Sequence, residues 1–124
     1  MIAGLPKLLI VDDQKDLAVS LGAIASTIGF DVQVSTSPVE FQKLFRATKP
    51  QYAVIDIVMP NIDGIELAQW TFNESPLTNI VLISGYNPYW GFSARKLLES
   101  NSPTNVTFLE KPVSKSSLQS ALGR

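Results

Sequence analysis

At 124 residues the chain fits one domain, residues 1–124, able to bury roughly two-thirds of the surface its unfolded form would expose. Apolar residues make up 45% and charged residues 17%, a globular balance, and a net charge of −1 offers no general attraction for nucleic acid or acidic membranes. The absence of Cys and His excludes disulfides, thiolate and imidazole metal sites, an imidazole general base and an internal phosphohistidine.

Met1 to Pro6 lacks the basic start and apolar core of a signal peptide, and no apolar run is long enough to span a bilayer, so a cytoplasmic protein is expected. Leu8 to Val11 is a continuous apolar run suited to a central parallel strand, and it ends on two acids, Asp12 and Asp13. Helix signals follow at once. Asp13 is placed as an N-cap with Asp16 in the first turn, and Leu17, Leu21, Ile24 and Ile28 recur at helical spacing until Gly29 stops the helix. Phe30, Val32 and Val34 then alternate with polar neighbours, which predicts a less buried edge strand. Ser37-Pro38-Val39-Glu40 combines a capping box with Pro at the first helical position. Phe41, Leu44 and Phe45 supply that helix's buried face before Lys49-Pro50 ends it.

The stretch from Tyr52 to Gly64 is an apolar run that delivers one carboxylate, Asp56, and then turns at Pro60 and Asp63-Gly64. A charge in such a run is tolerated at the strand's exposed end or when paired, so Asp56 is expected at a strand mouth. Ile65 to about Phe72 reads as a helix with Ile65, Ala68 and Phe72 on one face and Leu67 and Trp70 off that stripe. Ile80 to Ile83 is a fourth strand ending on Ser84-Gly85. A loop with Tyr86, Pro88, Tyr89 and Trp90 leads into a helix with Ala94, Leu97 and Leu98 inward, broken at Asn101-Ser102-Pro103. The aromatic cluster Tyr89, Trp90 and Phe92, and Trp70 likewise, are expected to pack within the fold rather than to form a partner patch. Val106, Phe108 and Leu109 mark a fifth strand followed by Lys111-Pro112. Ser114 caps a last helix, with Val113 and Leu118 spaced as a hydrophobic staple.

Five strands alternating with five helices predict an α/β domain with a doubly wound parallel sheet covered on both faces. In such a sheet the strand carboxyl ends share one rim, where ligands bind. Asp12, Asp13, Asp56, Ser84 and Lys111 all fall there. Taken singly, each has an ordinary role as cap, solvated strand end, turn residue or surface charge. Taken together, three carboxylates on one rim repel one another and need neutralising. Lys111 plus a divalent cation balances three negative charges, and an all-oxygen site favours magnesium over zinc.

These residues resemble the receiver domain of bacterial two-component response regulators. The elements that carry the resemblance are the acidic pair Asp12-Asp13, Asp56 followed by Met59-Pro60 and Asp63-Gly64, Ser84 beside Gly85, and Lys111-Pro112, each after its own strand. The resemblance implies a flavodoxin-like (βα)5 fold with strand order 2-1-3-4-5, acting in signal transduction and phosphorelay rather than as a classical enzyme. It implies that Asp56 is the phosphoacceptor, taking a phosphoryl group from a histidine kinase or histidine phosphotransfer protein. Asp13, Asp56 and the Val58 backbone carbonyl would hold Mg2+, with Asp12 assisting through water. Lys111 would pair with Asp56 and then with the phosphoryl group, and Ser84 would bond a phosphoryl oxygen. The implied switch couples Ser84 to Phe108 on the fifth strand and reshapes the face of the fourth helix, fifth strand and last helix. Phe108 has no hydroxyl to keep in water, so its inward state is expected before phosphorylation as well. By the same analogy an output domain or effector, and a homodimer through that face, are compatible with the chain, whereas direct nucleic-acid and membrane binding are not expected.

Val58 and Tyr86 depart from a typical receiver, and their apolar bulk is expected to hinder the water that hydrolyses an acyl phosphate. Two other function classes share part of this pattern. Phosphohydrolases that resemble haloacid dehalogenases place a second Asp two positions after the nucleophile, where this chain has Val58, and no G-x-G-x-x-G or Walker sequence supports nucleotide binding. A phosphorylation-independent interaction module with the receiver fold would not need the full set of acids, hydroxyl and Lys.

Overall fold

The computed structural model describes residues 4–59, 62–84 and 106–123. They contain β1 (Lys7–Val11), α1 (Lys15–Ile28), β2 (Asp31–Ser35), α2 (Pro38–Thr48), β3 (Tyr52–Asp56), β4 (Val58–Met59), β5 (Ile62–Asp63), α3 (Gly64–Glu74), β6 (Asn79–Ser84), β7 (Val106–Glu110) and a C-terminal helix, Lys115–Ala121. Five strands form one sheet in the order β2-β1-β3-β6-β7, with every neighbouring pair parallel. Counting these five alone, the order is the flavodoxin-like 2-1-3-4-5. The expected edge strand is at the edge: β2 pairs with β1 only.

Side-chain alternation along the strands divides the core into two layers. Leu9, Val11, Ala53, Ile55, Ile80 and Leu82 pack with Phe41 and Phe45 of α2 and with Ile65, Leu67 and Ala68 of α3. Leu8, Ile10, Val54, Val81 and Ile83 pack with Ala18, Leu21 and Ala25 of α1 and with Leu118 and Leu122 at the C-terminal end. Each fully buried Leu, Ile or Phe contributes about 1.5–3 kcal/mol relative to an exposed one, so the β1, β3 and β6 runs hold the rim in place.

Local signals account for most helix ends. Gly29 adopts φ 114 at the C-cap of α1, and the Gly29 and Phe30 amides donate to Ser26 and Ala25. Ser37 accepts from the Glu40 amide at 3.1 Å, with Pro38 as the first residue of α2. The Glu40 carboxylate reaches back to the Thr36 amide, one residue beyond the position a strict capping box would use. Ser114 and Ser117 form a reciprocal capping box, and Val113 and Leu118 meet in the same core layer as the predicted staple.

Four expectations need correction. Asp13 does not cap α1: the N-cap is Gln14, without a side-chain bond, and Asp12 instead accepts from the Gln14 amide at 2.9 Å. Leu17 is 40% exposed because Ala18, one position on, takes the inward place and lets α1 approach β1 closely. In α3, Leu67 is buried and Thr71 joins it, since α3 is covered on one side by the sheet and on another by α2; a single narrow stripe was too small a face. The predicted plain turn after Asp56 is partly a hairpin, with Val58 opposite Asp63 and Met59 opposite Ile62.

Trp70 packs within the fold, as expected. Its ring lies 5.6 Å from Phe45 and 6.4 Å from Phe41, both edge-on, with the Arg46 guanidinium carbon 5.3 Å from its centroid. Arg46 also bonds Glu74 at 2.9 Å, tying α2 to α3 at the surface. Tyr86, Tyr89, Trp90, Phe92 and the predicted helix bearing Ala94, Leu97 and Leu98 lie outside the described residues.

Candidate functional site

Parallel strands end together, so the residues at or just past the ends of β1, β3 and β7 are brought side by side. Register puts Val11 opposite both Ser35 and Ile55, and Asp56 opposite Ile83. Asp12 therefore leaves β1 level with the end of β3, where its amide still donates to the Ser35 carbonyl. One carboxylate oxygen from each of Asp12, Asp13 and Asp56 lies within 4.8 Å of the others. Asp12 is 1% exposed and Asp56 3%, whereas Asp13 is open to solvent.

Lys111, just past β7, supplies the cation at this rim. Its ammonium donates to Asp56 Oδ2 at 3.1 Å and stands 3.8 Å from Asp12 Oδ2. The Lys111–Pro112 peptide is cis. Asp12 Oδ1 is occupied by the Gln14 amide, but Oδ2 is buried and has no hydrogen-bond donor. Burial pushes the Asp12 carboxyl above the usual carboxylate range. The Gln14 amide opposes that rise, the Asp56 charge adds to it, Lys111 opposes it, and Asp13 adds a further increment.

A small hard cation fits this chemistry. All donors are oxygens, the acids outnumber Lys111, and a buried carboxylate oxygen faces the cluster unsatisfied. Val58 and Ser84 are described by their backbone: Val58 opens the hairpin two residues after Asp56, and Ser84 ends β6 opposite Glu110. Phe108 is half-buried and packs against the layer containing Ile80 and Leu82. The structure thus brings Asp12, Asp13, Asp56 and Lys111 into one cluster, while Phe108 belongs to the opposite side of the sheet.

Sequence reasoning missed an apolar groove that opens at the same rim. Leu17, Leu21 and Ile24 of α1, with Ile83, Pro112 and Val113, line about 470 Å³ of space bordered by Asp12 and Lys111. The exposed Leu17 at helical spacing from Leu21 and Ile24 was its sequence signal. A second omission is Gly64, read as a turn residue although it is the first residue of α3.

Comparison with known proteins agrees with this geometry. The family profile described as "Response regulator receiver domain" matches residues 8–123, and the chain belongs to that family. Receivers are signalling domains that bind Mg2+ at an acidic pocket. A protein-glutamate methylesterase/protein-glutamine glutaminase of Anaeromyxobacter dehalogenans is 28% identical over 86% of this chain, which covers 30% of that protein. The probable transcriptional regulator ycf27 of Porphyridium aerugineum is 32% identical over 61% of this chain, which covers 32% of it. The chain thus spans about a third of the length of these relatives. Among solved structures, a receiver domain protein from Methanospirillum hungatei has a TM-score of 0.82 at 22% identity, covering 97% of this chain and 92% of that one. One from Clostridium thermocellum has a TM-score of 0.81 at 20% identity, covering 96% and 92%. At these identities the likeness supports the fold. Among the described residues no helix is long and apolar enough to cross a membrane.

Proposed function

We propose that the chain is a phosphoacceptor receiver in a two-component system, with Asp56 as the nucleophile toward a phosphohistidine on a partner kinase or phosphotransfer protein. The observation that carries this reading is the rim cluster: three carboxylate oxygens within 4.8 Å and an ammonium 3.1 Å from Asp56. An Asp56 carboxylate oxygen forms a bond to phosphorus as the phosphorus–nitrogen bond breaks, and the imidazole leaves with the electron pair. The products are an acyl phosphate on Asp56 and a free partner histidine. Because phosphoryl transfer is governed by in-line positioning and charge neutralisation, Lys111 guides and then neutralises the incoming oxygens. Asp13, Asp56 and the Val58 carbonyl would hold Mg2+, with Asp12 acting through water. Bound there, the ion offsets carboxylate repulsion and charge on the transferred group.

The groove beside Asp12 and Lys111 supplies an apolar footing for a donor helix next to the nucleophile. Ser84 would bond a phosphoryl oxygen and Phe108 would settle more deeply against Leu82, altering the β7 side of the domain. An inward Phe108 population before phosphorylation remains part of this reading, consistent with the ring's packing against the core. A linked output domain or separate effector would read that change.

Incubation with Mg2+ and a small-molecule phosphodonor, followed by intact mass measurement, tests the proposal. The wild-type protein should gain one phosphoryl group and Asp56→Asn none. A protein that folds and binds partners without any Asp56-dependent adduct would instead be a phosphorylation-independent interaction module.

A further inference from the structure

The chain leaves β3 at Asp56, runs out through the β4–β5 hairpin and returns at Gly64, which begins α3 against the backbone it has just left. The Ile57 amide donates to Ile83 O at 2.9 Å, while Ile57 O accepts from the Gly64 amide at 3.3 Å. Ile57, the residue following Asp56, is thus held from the sheet on one side and from the start of α3 on the other. A Cβ at Gly64 would run into the Asp56 carbonyl oxygen, and would lie 2.6 Å from Ile57 Cα and 2.9 Å from Ile57 O. All three are backbone atoms, so relief requires main-chain movement. Gly64 does not have a positive φ; its requirement is for space.

We infer that Gly64 is a positioning residue for the phosphoacceptor site: its bare Cα lets the hairpin close tightly enough to set Asp56 and the Val58 carbonyl relative to Asp12 and Asp13. The inference rests on the receiver reading and extends it to a residue outside the charged cluster. Displacing the Asp56–Ile57 backbone moves one end of the proposed ligand set while Asp12 and Asp13, on a separate strand end, stay where they are. Metal affinity is sensitive to such support, and losing it typically weakens binding by about 10–100-fold.

Gly22 provides a control within the same fold. It also sits in a tight place, but a Cβ there would meet side chains of the edge strand β2, Val34 Cγ2 at 3.1 Å and Val32 Cγ1 at 3.4 Å, rather than the backbone that follows Asp56. Mg2+ affinity by calorimetry and Asp56 phosphorylation by intact mass should be measured for wild type, Gly64→Ala and Gly22→Ala, with urea unfolding alongside. Gly64→Ala should bind Mg2+ at least about tenfold more weakly and phosphorylate correspondingly slowly, whereas Gly22→Ala should change stability and leave Mg2+ affinity within about twofold. A folded Gly64→Ala with wild-type Mg2+ affinity overturns the inference.

Should Gly64→Ala not fold, the wild type decides. Coupling between hairpin closure and metal binding is reciprocal, so Mg2+ must slow hydrogen exchange at the Gly64 amide. Unchanged Gly64 exchange on saturation with Mg2+ overturns the inference. Failure of the wild type to bind Mg2+ at all would overturn the receiver-site reading itself, and this inference with it.

Discussion

Replacing Asp12 by Asn should make the metal-free protein more stable. At an effective dielectric constant of about 20, carboxylate oxygens within 4.8 Å of one another repel by about 3 kcal/mol or more, and an ammonium 3.8 Å away attracts by about 4 kcal/mol. The Asp56 and Lys111 contributions to Asp12 therefore nearly cancel, and repulsion from solvent-accessible Asp13 is nearer to about 1 kcal/mol. What remains is the loss of water from Oδ2, which is buried without a donor and costs about 1–3 kcal/mol. An amide oxygen can still accept from Gln14, so Asp12→Asn should gain about 1–3 kcal/mol in urea unfolding with EDTA. Mg2+ should stabilise the wild type by about 2.7 kcal/mol at a hundred times its dissociation constant, and the variant by less, so their order of stability narrows or reverses.

The same comparison has a pH signature. The folded Asp12 carboxyl titrates above its ordinary value of 3.8, mainly because of burial, so between the two values the folded state binds the proton more tightly. Stability from this group is therefore fully present below the ordinary value and is lost as pH rises through the folded one. The difference in stability, wild type minus Asp12→Asn, should fall across that window and then level off. A variant destabilised in EDTA, or one that gains as much from Mg2+ as the wild type, would refute the reasoning.

Lys111→Met leaves the Asp12 and Asp56 charges without their ammonium and should cost roughly 2 kcal/mol in urea unfolding at neutral pH, with added Mg2+ restoring more stability than it gives the wild type. Leu17→Glu puts a charge at the groove and should slow transfer from a protein phosphohistidine about tenfold more than it slows a small phosphodonor, measured by phosphorylation time courses. Trp70→Ala removes the ring wedged between Phe41, Phe45 and Arg46 and should cost about 2–3 kcal/mol in unfolding, while phosphorylation of Asp56, judged by intact mass, stays as in the wild type.

Strand positions were readable because continuous apolar runs such as Leu8–Val11 and Ile80–Ile83 admit few other uses, and their polar ends then marked the rim. The acids and Lys111 were legible for that reason: each follows a strand, and parallel topology does the gathering. Caps were readable where side chain and backbone agree, as at Ser37 and Ser114, but not at Asp13, since which of two adjacent acids turns back to an amide depends on where β1 lets go of β2. Leu67 and Leu17 exchanged roles because α3 is covered on two sides and α1 approaches the sheet through Ala18. Such facts belong to packing between elements and have no one-dimensional signal. Gly64 is similar: Asp-Gly announces a turn, but only the folded chain reveals which backbone the glycine must clear.

The division of the core into two layers makes the sheet a wall one strand thick. The groove residues Leu21 and Ile83 belong to the layer under α1 and the C-terminal helix, and Phe108 to the layer under α2 and α3. Under the proposed reading, the donor approaches from one side of that wall and the altered aromatic packing appears on the other. Substitutions that retune donor choice can then accumulate along α1 with little effect on how the outcome is displayed. One small domain can thereby be matched to a new sender without rebuilding its receiver of instructions downstream.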